Sequence, residues 1–226
     1  MKELKTKFPL QKAFYKIMEK NITIIDYGSG NILSAKQSFS KVIKDHNINA
    51  KVCISSNPKN IKSSSHLVLP GQGAFETCIK GLKKIPGMIE ELNNFAIDQK
   101  KPFFGICVGM QLLANTSLEN GNHKGLGWIN GTIEKLPSNE LKMPHMGWNS
   151  IRLLDKNLKI NPKETDYYFV HSYYFNCENK ENVLAETNYG IDFPSIVYKE
   201  NIYGLQFHPE KSSNQGLDII KNFIEL

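Results

Sequence analysis

A thiol, an imidazole and a carboxylate stand out in this sequence because of what surrounds them. Cys107 ends the apolar run Pro102-Phe103-Phe104-Gly105-Ile106 and has a glycine two residues to either side, Gly105 and Gly109, before Met110 and Gln111 open a helical pattern. That spacing fits a nucleophile elbow, the tight strand-to-helix turn that exposes a reactive side chain, with sulfur in place of a hydroxyl oxygen. Glycine suits both flanks because neighbouring backbone comes close there. A helix opening just after Cys107 sets unpaired amides beside the sulfur and favours the thiolate. Taken alone, the same pattern also describes a buried cysteine that closes a core strand. The second stretch is Gly204-Leu205-Gln206-Phe207-His208-Pro209-Glu210. In an extended strand residues i and i+2 face the same way, so His208 and Glu210 can point toward one site. Pro209 fixes its own φ and biases His208 toward an extended conformation. A carboxylate beside an imidazole orients the ring and supports its positive charge, and the ring can then take a thiol proton. Alone this is an ordinary surface pair; with the elbow it predicts a Cys107–His208–Glu210 triad.

Residues so far apart in the chain need a scaffold that brings loop ends together. From Asn21 onward short β-rich runs alternate with helical patterns. Strands are expected over Ile22–Asp26, Ala50–Ile54, His66–Leu69 and Pro102–Ile106, each followed by a turn signal such as Gly28-Ser29-Gly30 or Pro70-Gly71-Gln72-Gly73. Helices are expected near Leu33–Lys44, Ala74–Leu82 and Met88–Gln99. This alternation predicts parallel βαβ units with functional loops at the strand carboxyl ends. After a helix over Met110–Asn115, the runs Tyr167–Ser172, Val183–Thr187, Ser195–Lys199 and Ile202–Phe207 leave little room for helices and predict antiparallel or mixed pairing. A last helix is expected over Gln215–Glu225.

Composition narrows the function classes. The formal net charge is +6, but residues 1–20 hold six Lys and two Glu, which leaves the remainder nearly neutral. Arg152 is the single arginine, whereas phosphate and guanine recognition favours arginine's planar fork. Nucleic acid is therefore not the expected ligand. Cys53, Cys78, Cys107 and Cys177 form neither a dense disulfide framework nor paired C-x-x-C spacing, so a reducing cytoplasm is expected. His145 and His171 lack companion ligands at metal-binding spacing, and no metal or cofactor is expected. No apolar run has the length of a membrane helix. Residues 1–20 read as an extension outside a domain spanning 21–226; Leu10, Phe14, Ile17 and Met18 fall on one helical face, so a docking or membrane-surface helix is the other reading.

Together these motifs resemble the class I, or triad, glutamine amidotransferases, from about Ile22 to the C-terminus. Gly105-Ile106-Cys107-Val108-Gly109 and Gln206-Phe207-His208-Pro209-Glu210 mark the class. Asp26-Tyr27-Gly28-Ser29-Gly30-Asn31, Pro144-His145-Met146-Gly147-Trp148-Asn149, Tyr168-Phe169-Val170-His171-Ser172-Tyr173 and Glu210-Lys211-Ser212 mark its histidine-biosynthesis branch. The family usually begins only a few residues before its first strand, so the N-terminal extension departs from the pattern.

The resemblance implies a flavodoxin-like α/β fold with a mixed, mostly parallel sheet, an antiparallel portion in the second half, and hydrolysis of glutamine through a thioester on Cys107. It implies oxyanion donors at Val108 and in the Gln72–Gly73 segment, and glutamine contacts at Gly71, Gln111, His171, Ser172 and Tyr173. Read without it, Gln111 is an ordinary helix residue and His171 a core histidine. The implied partner is a separate (β/α)8 cyclase in a heterodimer, met by Asn31, Trp148, Tyr168 and Lys211. By residue type alone Trp148 and Tyr168 are core aromatics, and Lys211 is a solvated charge. Two rival readings stand beside this one: an amidotransferase that feeds a partner forming an amidine on a surface sugar, and a non-catalytic scaffold that kept the fold.

Overall fold

The computed structural model describes residues 19–137, 141–154 and 159–226. The expected extension over residues 1–20 lies, as far as residue 18, outside them. The chain enters the fold at β1 (Lys20–Ile25), slightly before the expected Ile22. Lys20 pairs with Ala50 of β2 (Ala50–Ser55), and its Nζ donates to Ile224 O at 2.8 Å.

The main sheet has eight strands in the order β2-β1-β3-β4-β14-β13-β12-β9. Around β1 and β2, β3 (His66–Gly71), β4 (Phe103–Cys107) and β14 (Ile202–Leu205) complete the parallel part. β13 (Asp192–Lys199), β12 (Val183–Asn188) and β9 (Arg152–Leu153) continue it antiparallel, as the absence of helical room between these runs requires. Every residue of β3 and of β4 is buried, the mark of strands covered on both faces. The covering helices are α1 (Ile32–Asp45), α2 (Pro58–Lys62), α3 (Phe75–Lys84), α4 (Met88–Asn93), the one-turn α5 (Val108–Gln111) and α6 (Ser213–Glu225). α1 turns Ala35, Phe39 and Val42 inward at helical spacing. Phe223 of α6 stacks on Phe104 of β4 with ring centroids 4.6 Å apart and meets Phe39 edge-on. Burying one such ring contributes roughly 1.5–3 kcal/mol.

A smaller layer covers the carboxyl ends of the strands. It contains β5 (Thr116–Ser117), β6 (His123–Lys124), β7 (Gly131–Lys135) and β11 (Tyr173–Cys177) in one sheet, and β8 (His145–Ser150) with β10 (Asp166–His171) in another. Three expectations need correcting. The helix placed over Met110–Asn115 starts earlier and ends after one turn, because Asn115 and its neighbours bond instead to β7: Asn115 N donates to Gly131 O and Gly131 N to Asn115 Oδ1. The helix placed over Met88–Gln99 is α for its first part and then widens into a π turn at Asn94–Asp98. The strand placed over Ile202–Phe207 ends at Leu205, and Pro209–Lys211 form a 3-10 turn. Among the described residues no helix is long and apolar enough to cross a membrane.

Candidate active site

The strand order reverses between β1 and β3, and ligands of open α/β sheets bind outside the strand carboxyl ends near such a point. β3, β4 and β14 deliver Gly71, Cys107 and the segment leading to His208 to that rim. Cys107 has φ +55, in the left-handed region that non-glycine residues seldom occupy. The glycines around it make that turn possible. A Cβ on Gly109 would run into the Leu69 carbonyl oxygen, and one on Gly105 would come within 2.6 Å of Gly109 O. The sequence pattern thus records three backbone segments packed without side chains between them. The helix after Cys107 has a single turn, so its contribution to the sulfur comes from a few local amides rather than a long dipole.

The His208–Glu210 pair forms, though for a different reason from strand alternation. His208 is extended and Glu210 lies on the 3-10 turn, which folds the carboxylate back onto the ring. Nδ1 and Glu210 Oε1 are 2.8 Å apart, with both side chains at least 95% buried. Burial opposes charge on this ring; the Cys107 sulfur and then Glu210 more than offset it, and the pKa is pushed up to about 10. His208 Nε2, the nitrogen on the far side from Glu210, is buried and has no hydrogen-bond partner. The Cys107 thiol rests 3.9 Å from the Val170 carbonyl. β10 also holds the histidine backbone: His208 N donates to Tyr168 O at 2.9 Å, Tyr168 N to Ser212 Oγ, and Ser212 Oγ to His208 O.

Cys107 and His208 open onto one cavity of about 250 Å³, lined also by Gln72, Gly73, Val108, Gln111, Glu119, Pro144 and Val170 through Tyr173. Of the residues expected to hold glutamine, Gln111, His171, Ser172 and Tyr173 are in this wall. Gly71 is not: it lies against Val108 and Gly109, where a side chain would collide, and serves to let β3 and the elbow touch. Gln72 O accepts from Ser29 Oγ at 2.6 Å, so the Gly73 N–H of the same planar peptide points away from Ser29. Gly73 has φ +92. Tyr27 OH donates to Pro70 O at 2.7 Å, which ties the loop after β1 to this turn.

Glu119 was not singled out by sequence. It accepts from Phe75 N at 2.7 Å with Oε2 and faces the cavity, but a lone carboxylate in a polar loop carries no periodic or spacing signal. Gln206, also unassigned, is buried beside Cys107 with Nε2 3.8 Å from Sγ. His145 and His171 are held neutral by burial, at about 4 and about 3. Among the described residues no three His, Cys, Asp or Glu side chains gather to hold a metal ion.

The remaining expected residues form a surface. Trp148 lies directly opposite Tyr168 across the β8–β10 pair, their rings meet edge-on, and Lys211 Nζ stands 5.9 Å from the Tyr168 ring centroid. Trp148 is 52% exposed, which overturns its reading as a core aromatic. Asn31 is the N-cap of α1 and accepts from Ser34 N at 3.4 Å. It follows Gly30, which packs against Pro70, so it sits next to the turn that carries Gln72 and Gly73.

A nucleophile elbow, a buried His–Glu pair and a small polar cavity at the rim of this sheet define a cysteine-dependent amidotransferase site, and the chain belongs to the class I glutamine amidotransferase family, whose model matches residues 15–226. Within that family it is 46% identical over 211 residues to the imidazole glycerol phosphate synthase subunit HisH of Pelagibacter ubique, covering 91% of this chain and all of that one. It is 45% identical over 207 residues to the corresponding subunit HisH 2 of Methanococcus maripaludis, covering 90% and 98%. Solved structures share the fold at lower identity. One glutamine amidotransferase superposes with a TM-score of 0.66 at 19% identity, covering 90% of this chain and 97% of that one. A glutamine amidotransferase from Thermotoga maritima gives 0.63 at 17% identity, covering 88% and 79%.

Proposed function

We propose that this chain is the glutaminase subunit of imidazole glycerol phosphate synthase, working in histidine biosynthesis with a cyclase partner. The observation that carries the chemistry is His208, paired with buried Glu210, on the wall of the cavity that Cys107 also lines. Near-complete alignment with HisH subunits supports the pathway.

His208 takes the Cys107 proton, and the thiolate attacks the side-chain amide carbon of glutamine. The oxyanion that develops is met by the Val108 amide and by Gly73, or Gln72, of the turn after β3. Each such donor contributes about 3–4 kcal/mol to lowering the barrier. The imidazolium then protonates the departing ammonia, and water hydrolyses the glutamyl thioester to glutamate with His208 as base. Gln111 and the Ser172–Tyr173 backbone hold the substrate, and Glu119 suits its α-ammonium group.

Ammonia released into water is protonated and lost, so the site needs an acceptor enzyme on its surface. The proposed partner is a (β/α)8 cyclase that converts phosphoribulosyl-formimino-AICAR-phosphate to imidazole glycerol phosphate and AICAR. The Trp148–Tyr168–Lys211 cluster and Asn31 form the docking face, and both connect to the site: Tyr168 through the backbone of His208, Asn31 through the Pro70–Gly73 turn. The folded unit is taken to start at β1, and four free thiols support a cytoplasmic location. The test is glutamate release by the chain alone, with the cyclase, and with cyclase plus its nucleotide ligand. The reading expects rates that rise across the three and glutamine-dependent imidazole glycerol phosphate in the last; equal rates without product would overturn it.

A further inference from the structure

A series of hydrogen bonds leads from exposed β8 to the catalytic sulfur, with donors converging from both sides on one carbonyl. Its pivot is the Tyr173 carbonyl, which can only accept. His171 Nδ1 lies 2.9 Å from it, so that nitrogen carries the proton; the ring is neutral, which leaves Nε2 as an acceptor. His145 Nδ1, 3.0 Å from that Nε2, must then carry its own proton, and His145 Nε2 accepts from Asn149 Nδ2 at 3.1 Å. Two further contacts orient Asn149 the same way: Nδ2 donates to Asn188 O, and Oδ1 accepts from Ser150 N. On the other side of the pivot, Gln111 Nε2 donates both to Tyr173 O at 2.9 Å and to Gln206 Oε1 at 3.0 Å. That fixes the Gln206 amide. Its oxygen is occupied, and its Nε2 is presented to Cys107 Sγ at 3.8 Å.

We propose that Gln206 is a catalytic residue, a fixed N–H donor to the Cys107 sulfur, and that Gln111, itself oriented by the Tyr173 carbonyl, is a positioning residue that prevents its amide from turning over. The proposal deepens the functional reading above and rests on Cys107 being the nucleophile. When His208 removes the thiol proton, negative charge appears on a sulfur that is almost wholly buried, where an unpaired anion is costly. His208 supports it from the cavity side, and the Gln206 N–H supports it from beneath as a charge-assisted bond. If the amide flipped, an oxygen lone pair would face the thiolate, and Gln111 would lose its acceptor. Other ionisable groups around the sulfur are Glu210 behind His208, His171 at the end of β10, Glu119 in the cavity wall, and Tyr27 and Cys78 on the opposite side.

The experiment follows alkylation of Cys107 by iodoacetamide in the full-length chain, reading the Cys107 peptide by mass so that exposed Cys53 does not interfere. At neutral pH the rate should fall about tenfold in Gln206→Met, which keeps the bulk and loses the donor. It should fall further in Gln206→Glu, which sets a like charge beside the sulfur. At strongly alkaline pH, where every sulfur is ionised, the three proteins should converge. A packing role alone would not produce this order or this convergence, and equal rates at neutral pH would overturn the proposal. A second measurement needs no variant. Nitrogen-15 NMR of the labelled glutamine side chains should find the Gln206 amide signal moving when Cys107 is alkylated, and an unmoved signal would overturn it. Alkylation of Cys107 that left glutamine hydrolysis intact would instead sink the nucleophile assignment, which separates the two failures.

Discussion

Replacing Glu210 by Gln removes one negative charge from the site and almost nothing else. The carboxylate sits 2.8 Å from His208 Nδ1, and the pair is nearly sealed from water, so the lost interaction is charge-assisted and poorly screened. A hydrogen bond to a charged group contributes about 1.5–3 kcal/mol, which corresponds to a fall in kcat for glutamine hydrolysis of about 10–100-fold. The amide oxygen still accepts from Nδ1–H, so the ring keeps its tautomer and orientation while its pKa drops from about 10. On the proposed mechanism the imidazolium that protonates departing ammonia is then lost at lower pH, and the alkaline limb of the rate profile moves toward neutrality. The assay is glutamate release by the chain with the proposed cyclase across the neutral to alkaline range, with ammonium-driven synthesis as the control. An unchanged kcat together with an unmoved alkaline limb would refute the coupling of Glu210 to the reaction.

Cys107→Ala should abolish glutamine-dependent synthesis but leave ammonium-driven synthesis by the complex intact; residual glutaminase activity above background would contradict the elbow assignment. Gly109→Ala must displace the Leu69 carbonyl and should cost about 1–3 kcal/mol, seen as a melting point several degrees lower together with lost activity. Trp148→Ala should leave the melting point of the free chain within the shift of about 0.5 kcal/mol and weaken cyclase binding by at least about tenfold, read by titration calorimetry. His66, His145 and His171 are buried neutral, with pKa values depressed to about 4, 4 and 3. The unfolded chain therefore binds more protons below about pH 6.5, and stability should fall toward acid by up to about 4 kcal/mol per pH unit, measured by urea unfolding. His208 acts in the opposite sense: its contribution is complete below about pH 6.5 and fades as pH rises through about 10.

The elbow was legible in the sequence because its constraint is steric and local: Gly105 and Gly109 are needed within two residues of Cys107, and spacing records that directly. The His208–Glu210 pair was legible as a pair but not as a conformation, since Pro209 serves a 3-10 turn as readily as an extended run. Glu119 and the His145–His171 contact depend on segments that meet only in three dimensions, and nothing in their own neighbourhoods signals it. β5, β6 and β9 have two residues each, too few to show a period. β8 misleads for another reason. Its inward positions hold His145 and Asn149 while Met146 and Trp148 face water, the reverse of the usual pattern, so an apolar-in reading places the wrong side against the core.

That inverted strand has a consequence for how the protein is made. With Met146 at 61% and Trp148 at 52% exposure, a chain without the proposed cyclase on this face offers an adhesive patch to its surroundings. Surplus copies are then a burden rather than a reserve, open to self-association and to capture by quality-control machinery. Balanced supply of the two proteins becomes a requirement of solubility as well as of catalysis, and overproduction of this chain alone should yield more insoluble material than overproduction of the pair.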